Sequence, residues 1–142
     1  MVVSKGSIPL QALGYYIPFI TSFINNMRKI EREMIQAIID RRDWRKANTE
    51  VEIYPSYAEI TLHGNEIGRY YFHPSEDDPS LEISHAHWKT NTTKSRLNAL
   101  ISFVAGGLSG IYQKNFNWYY KRVDAGSGQE SVEEFNSLWL AV

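Results

Sequence analysis

The runs Tyr57–His63 and Glu66–Phe72 flank the pair Gly64-Asn65. That pair suits a two-residue turn with positive φ, so this stretch is constrained to a β-hairpin. Side chains alternate along a strand. Counting outward from the turn places Ala58, Ile60 and Leu62 on one face with Ile67, Arg69 and Tyr71. Arg69 is then the odd residue on an apolar face: either an interface or ligand residue, or one whose stem packs there while its head reaches water. Other strands are expected at Val51–Tyr54, which Pro55 ends, and at Leu81–His87. A second hairpin is expected over Gly110–Lys114 and Asn117–Arg122, turning at Asn115-Phe116.

Helical spacing appears in three places. Ile20, Ile24, Met27, Ile30, Met34, Ile35, Ile38 and Ile39 recur at three- and four-residue steps. That pattern predicts an amphipathic helix over 18–45, opened by Pro18, with Arg41, Arg42, Arg45 and Lys46 complementing its C-terminal dipole. At about 1.5 Å per residue the helix runs near 40 Å, so part of its stripe is expected to pack against a second copy. A second helix is predicted over 93–104, capped by Thr92 or Thr93, with Leu97, Leu100, Ile101 and Val104 inward. Gly106-Gly107 stops it. The capping-box pair Ser131 and Glu134 predicts a last helix over 131–141, with Val132, Phe135, Leu138 and Trp139 as its stripe. The expected fold is α+β in one domain, 1–142. It has a long N-terminal helix, an antiparallel sheet of about five strands within 51–123, an inserted helix and a short C-terminal helix.

The junction from Trp88 through Asn91, Thr92, Thr93, Lys94 and Arg96 carries the strongest functional signal. A helix N-terminus holds partial positive charge and unpaired N–H groups, which favour Asp or Glu. Here the first turn is basic and hydroxyl-bearing instead, with Lys89 nearby. Such an end suits an anion, and a phosphate-bearing ligand is expected there. Asn91 could bond a ribose or base edge, and Trp88 or Tyr71 could stack on a purine. Charges simply pointing into water would explain the same residues at little energetic cost.

Composition narrows the partners. The 142 residues carry a net charge of -1. Bulk electrostatics therefore give no ground for binding a nucleic-acid polymer or a membrane surface. There is no cysteine, hence no disulfide or thiolate chemistry, and no apolar run approaches a membrane span. Four Trp, nine Tyr and six Phe exceed what a small core needs, so some rings are expected in a pocket or a subunit contact. His85-Ala86-His87 with His63 or His73 lacks the supporting spacing of a metal site, and no metal or cofactor is expected. Glu59, Glu66 or Glu82 beside a histidine could form a hydrolase dyad, but no nucleophile elbow, P-loop or dinucleotide fingerprint accompanies them. An enzyme is not expected.

The order Leu62-His63-Gly64-Asn65, Trp88, Thr90 through Leu100, then Gln113 and Trp118-Tyr119 resembles small accessory proteins of tailed bacteriophages over about 57–122. The combination is similar to the Thoeris anti-defence family of phage sponge proteins. That resemblance implies a homo-oligomer in the host cytoplasm with ligand pockets between protomers. It implies sequestration, without cleavage, of cyclic ADP-ribose isomers made by defence enzymes with TIR domains. Only Asn91, Thr92, Thr93 and their basic neighbours carry over to this chain. Two other functions fit the sequence. One is a protein–protein inhibitor of a host system, of anti-CRISPR or host-takeover type, using the acidic loop Glu76-Asp77-Asp78. The other is a nucleic-acid-binding accessory protein.

Overall fold

The computed structural model describes residues 27–142. The chain is mostly β, not the helix-framed α+β arrangement expected from sequence. Among the described residues, nine strands form two antiparallel sheets, with two helices beside them. In order these are α1 (Lys29–Ile39), β1 (Trp44–Lys46), β2 (Thr49–Ile53), β3 (Tyr57–Leu62), β4 (Asn65–Tyr71) and β5 (Leu81–Ser84). Then follow α2 (Asn91–Ala105), β6 (Gly110–Lys114), β7 (Asn117–Val123), β8 (Glu130–Glu134) and β9 (Trp139–Ala141). The larger sheet runs β1-β2-β3-β4-β5-β9 and the smaller one β6-β7-β8.

Both helices cover one face of the larger sheet. Met34, Ile35 and Ile38 of α1 and Leu97, Leu100 and Ile101 of α2 are buried in one core with Val51, Ala58, Ile60 and Ile83. Ile111, Trp118, Tyr120 and Phe135 bring the inner face of the smaller sheet into that same core. A single side chain stitches α2 to the smaller sheet. The Asn98 amide donates to Ile111 O at 3.0 Å, and Ile111 N–H donates back to Asn98 Oδ1 at 2.6 Å. Gly110 beside it has no room for a side chain, since a Cβ would lie 2.9 Å from Asn98 Oδ1.

The first helix ends far short of residue 45. Asp40 caps it, Arg41 turns left-handed at φ 50°, and Trp44–Lys46 becomes an edge strand. The basic cluster is therefore split: Arg41 and Arg42 follow the C-cap and bond Ile38 O and Ala37 O through their N–H groups, while Arg45 and Lys46 lie on β1. Arg42 lies 3.8 Å from Asp40, Arg45 3.0 Å from Glu50 and Lys46 3.2 Å from Glu33. Residues 18–26 of the expected long helix lie outside the described residues.

The predicted C-terminal helix over 131–141 is replaced by β8 and β9. Of its proposed stripe, Phe135 is buried, while Val132 is 51% and Leu138 37% exposed. Glu130–Glu134 pairs with β7 and β9 with β5, each as an edge strand whose inward-facing backbone groups are satisfied by the ladder. Sheet context thus overrides a local capping signature.

The β6–β7 hairpin turns at Asn115-Phe116 as expected. The β3–β4 hairpin turns one residue earlier than expected, at His63-Gly64, with φ 52° and 80°. A bulge then follows, because Thr61 pairs with Glu66 but Ile60 pairs with Gly68. Side-chain period is two, so this register flips faces. Arg69 and Tyr71 therefore sit opposite Glu59 and Tyr57 on the face away from α1 and α2, not with Ala58 and Ile60.

Candidate functional site

Thr90, not Thr92 or Thr93, caps α2. Its Oγ1 accepts from Thr93 N–H at 3.1 Å, and Lys94 N–H bonds Thr90 O at 3.0 Å. The first turn holds no acidic residue. The N–H groups of Asn91 and Thr92 remain without an intrahelical partner.

This helix start, through Thr90, Thr92 and Thr93, borders a cavity of about 490 Å³. Its apolar floor is Leu62, Ile67 and Ala86, and its rim combines His63 and Asn65 with Trp88, Thr90, Thr92 and Thr93. The β3–β4 turn thus reaches over to meet the start of α2. The segment between β5 and α2 is tightly wound. Ala86 and His87 are left-handed at φ 52° and 63°, Trp88 N–H bonds His85 O at 2.7 Å, and His87 N–H donates to His85 Nδ1 at 3.0 Å. This winding leaves Trp88 61% exposed at the cavity mouth. Burial, then the positive fields of Lys89 and His87, push the His85 imidazole below its ordinary pKa. His85 and His87 meet edge-on at 5.7 Å. Among the described residues no group of three or more His, Cys, Asp or Glu is arranged to hold a metal.

The residues singled out from sequence fall into four groups. Trp88, Thr92 and Thr93 line the cavity. Asn91 and Lys94 stand on the same helix turn but do not line it. Arg96 points elsewhere and is only 6% exposed. Its Nη1 donates to Glu31 Oε2 at 2.9 Å, its Nε to Thr49 Oγ1 at 3.2 Å, and Ser95 Oγ donates to the same Glu31 oxygen at 2.5 Å. Arg96 is a structural tie between α2, α1 and β2.

Arg69 and Tyr71 lie on the opposite face of the larger sheet. Arg69 grips Glu66 through two bonds, Nε–Oε2 at 2.5 Å and Nη2–Oε1 at 3.0 Å, and its guanidinium lies 5.6 Å from the Tyr57 ring and 5.5 Å from the Trp139 ring. Tyr71 donates to Glu82 Oε1 at 2.5 Å. Burial and then the Glu82 hydrogen bond raise the Tyr71 phenol. Burial and then the neighbouring Glu66 and Glu52 charges raise the Glu59 carboxyl. His63, Asn65 and Ile67 were missed as cavity residues because their closeness to α2 is a long-range contact. Thr90 was legible, since T-x-x-T preceding Leu97 fits an N-cap as well as Thr92 does.

The fold is a mostly-β domain with a cavity at the start of α2. The comparisons give its lineage: residues 27–140 match the Kyanoviridae Gp96 protein family, and the chain belongs to that family. It is a tailed-phage protein. No curated protein and no solved structure matches it. Among the described residues no helix is long and apolar enough to cross a membrane.

Proposed function

We propose that this phage protein binds a small cyclic nucleotide signal, of the cyclic ADP-ribose isomer type, and sequesters it from host defence without cleaving it. It would act in the host cytoplasm as a homo-oligomer, as the Thoeris anti-defence resemblance implies. The observation behind this proposal is the convergence of Trp88, Thr90, Thr92 and Thr93, at the N-terminus of α2, on one cavity of about 490 Å³. That volume lies within the usual range for small-molecule sites, about 300–1,000 Å³. A ring stacked on Trp88 would cover the apolar floor, and a phosphate would meet the helix N-terminus and the threonine hydroxyls. Arg96 takes no part, so cation assistance falls to Lys89 and Lys94.

The test incubates the protein with a panel of cyclic ADP-ribose isomers and cyclic oligonucleotides, then heats it and assays what is released. A ligand that disappears and returns intact is expected. Trp88→Ala should abolish uptake with Tm unchanged, because the ring is mostly exposed. Failure to take up any panel member overturns the proposal, and a ligand returned altered makes the protein an enzyme. A protein–protein inhibitor remains the second reading, favoured by the exposed acidic loop Glu76-Asp77-Asp78.

A further inference from the structure

The link from β5 to α2 supplies Ala86 to the floor of the cavity and Trp88 to its rim. Its backbone is bent against preference. Ala86 and His87 are consecutive left-handed residues, neither of them glycine. Such backbone persists only where neighbouring groups hold it. Three successive N–H groups show what holds it here. Ala86 N–H donates to Ser84 Oγ at 3.0 Å, His87 N–H to His85 Nδ1 at 3.0 Å, and Trp88 N–H to His85 O at 2.7 Å. Ser84 and His85 are both buried, so water does not stand in for them. Thr90 N–H then donates to Trp88 O at 2.9 Å, which joins the turn to the α2 cap.

One of those three acceptors is unusual. Accepting from the N–H two residues on is ordinarily done by the side-chain oxygen of Asn or Asp. Here a ring nitrogen does it, and a ring nitrogen accepts only while it carries no proton. The bond therefore fixes the tautomer: Nδ1 is bare, and the one proton of the neutral ring is on Nε2. The ring packs against Phe135 at 5.2 Å and hydrogen-bonds the Ser137 backbone. Burial, then the fields of Lys89 and His87, oppose a second proton, while the Ser137 bond favours it. Lys89 and His87 belong to the link itself. Phe135 and Ser137, which come from between β8 and β9, bring no charge.

We propose that His85 is the positioning residue of this cavity: its neutral Nε2–H imidazole, by accepting from His87 N–H, holds the turn that presents Trp88 to a ligand. The inference rests on the reading of the cavity as a ligand site. Protonation makes Nδ1 a donor facing a donor. The His87 bond is then lost, the left-handed pair loses its restraint, and Trp88 leaves the rim. Only the neutral form binds, so apparent affinity follows the neutral fraction, falling about tenfold for each pH unit below the folded-state pKa of His85.

Nitrogen-15 NMR of the full chain tests this first without ligand. From about pH 8 down to the acid limit of the fold, the His85 ring nitrogens report tautomer and titration. A bare Nδ1 at neutral pH is expected, with the His87 amide and the Trp88 indole N–H shifting at the same midpoint. His85→Asn keeps an acceptor that does not titrate, so its Trp88 signal should hold steady as pH falls. His85→Leu has no acceptor, so its Trp88 signal should depart from that of the parent at every pH. Uptake of cyclic ADP-ribose isomers and cyclic oligonucleotides is then measured over the same range. The parent should show the fall with pH and His85→Asn a flat profile, while His85→Leu should bind at least about tenfold more weakly throughout. Lost packing against Phe135 would penalise both variants alike, so the His85→Asn result separates positioning from packing. If His85→Leu does not fold, the titration of the parent and the His85→Asn profile decide. A protonated Nδ1 at neutral pH overturns the proposal. So does a Trp88 signal that ignores the His85 titration, or a His85→Asn profile that falls like that of the parent. Coinciding midpoints with no uptake of any panel member would overturn the nucleotide reading and still support His85 as the residue that places Trp88.

Discussion

Arg96→Met isolates the role of the buried pair. The side chain keeps its reach but loses its charge, leaving Glu31 with the Ser95 hydroxyl alone in a site where the two partners are only 7% and 5% exposed. Removing one member of a buried, hydrogen-bonded pair costs about 3–5 kcal/mol, since the orphaned charge keeps its desolvation penalty. The Nε bond to Thr49 is lost with it. For a domain of this size about 4 kcal/mol corresponds to a fall in Tm of about 10–15 °C. Replacing both partners, Glu31→Leu with Arg96→Met, removes the orphan and should recover most of the loss, to within about 1–2 kcal/mol of the parent. The assay is urea unfolding of the parent, both single variants and the double variant, closed as a thermodynamic cycle. A single Arg96→Met variant within about 1 kcal/mol of the parent would refute the structural role. Unchanged stability together with lost nucleotide uptake would instead restore Arg96 as an anion ligand.

Three further outcomes follow from the geometry. Thr90→Ala removes the α2 cap and should cost about 1 kcal/mol in urea unfolding, with Thr90→Asp tolerated. Tyr120→Phe removes a buried hydroxyl that has no hydrogen-bond partner among the described residues, so it should leave stability unchanged or raise it by about 1 kcal/mol in the same assay. His85 is held below its ordinary pKa, so the unfolded chain binds the proton more readily than the fold does. Its stabilising share is present above about pH 6.5 and lost as pH falls below that value toward the folded-state pKa. Thermal unfolding from about pH 7.5 to about pH 5 should show this decline, and His85→Gln should flatten it.

How much could be read in advance depended on the range of the deciding contact. The β6–β7 hairpin was legible because Asn115-Phe116 and its flanking alternation are local. The β3–β4 hairpin was legible as a hairpin, but its register was not. The bulge that skips Ile67 answers to packing against α2 and β5, where Leu100 Cδ1 would lie 3.1 Å from a Cβ on Gly68. That single slip moved Arg69 from a supposed apolar face to the acidic one. The S-x-x-E signature at Ser131 misled because the open edge of β7 outweighed it. At the candidate site Thr92 and Thr93, singled out by charge and capping logic, and Trp88, singled out as a ring that could stack, all line the cavity. Arg96 was misassigned because its partner Glu31 lies 65 residues away.

The stitch between Asn98 and Ile111 has an evolutionary consequence. The Asn98 amide plays the part of a missing neighbouring strand, donating and accepting against the backbone of β6. It does so only because Gly110 leaves the space empty. The two positions should therefore drift together through the Gp96 family. A member with a side chain at 110 should carry something shorter than asparagine at 98, and would have to secure the smaller sheet by another bond. An alignment of the family would reveal this as covariation between 98 and 110, strongest of all pairs joining α2 to β6.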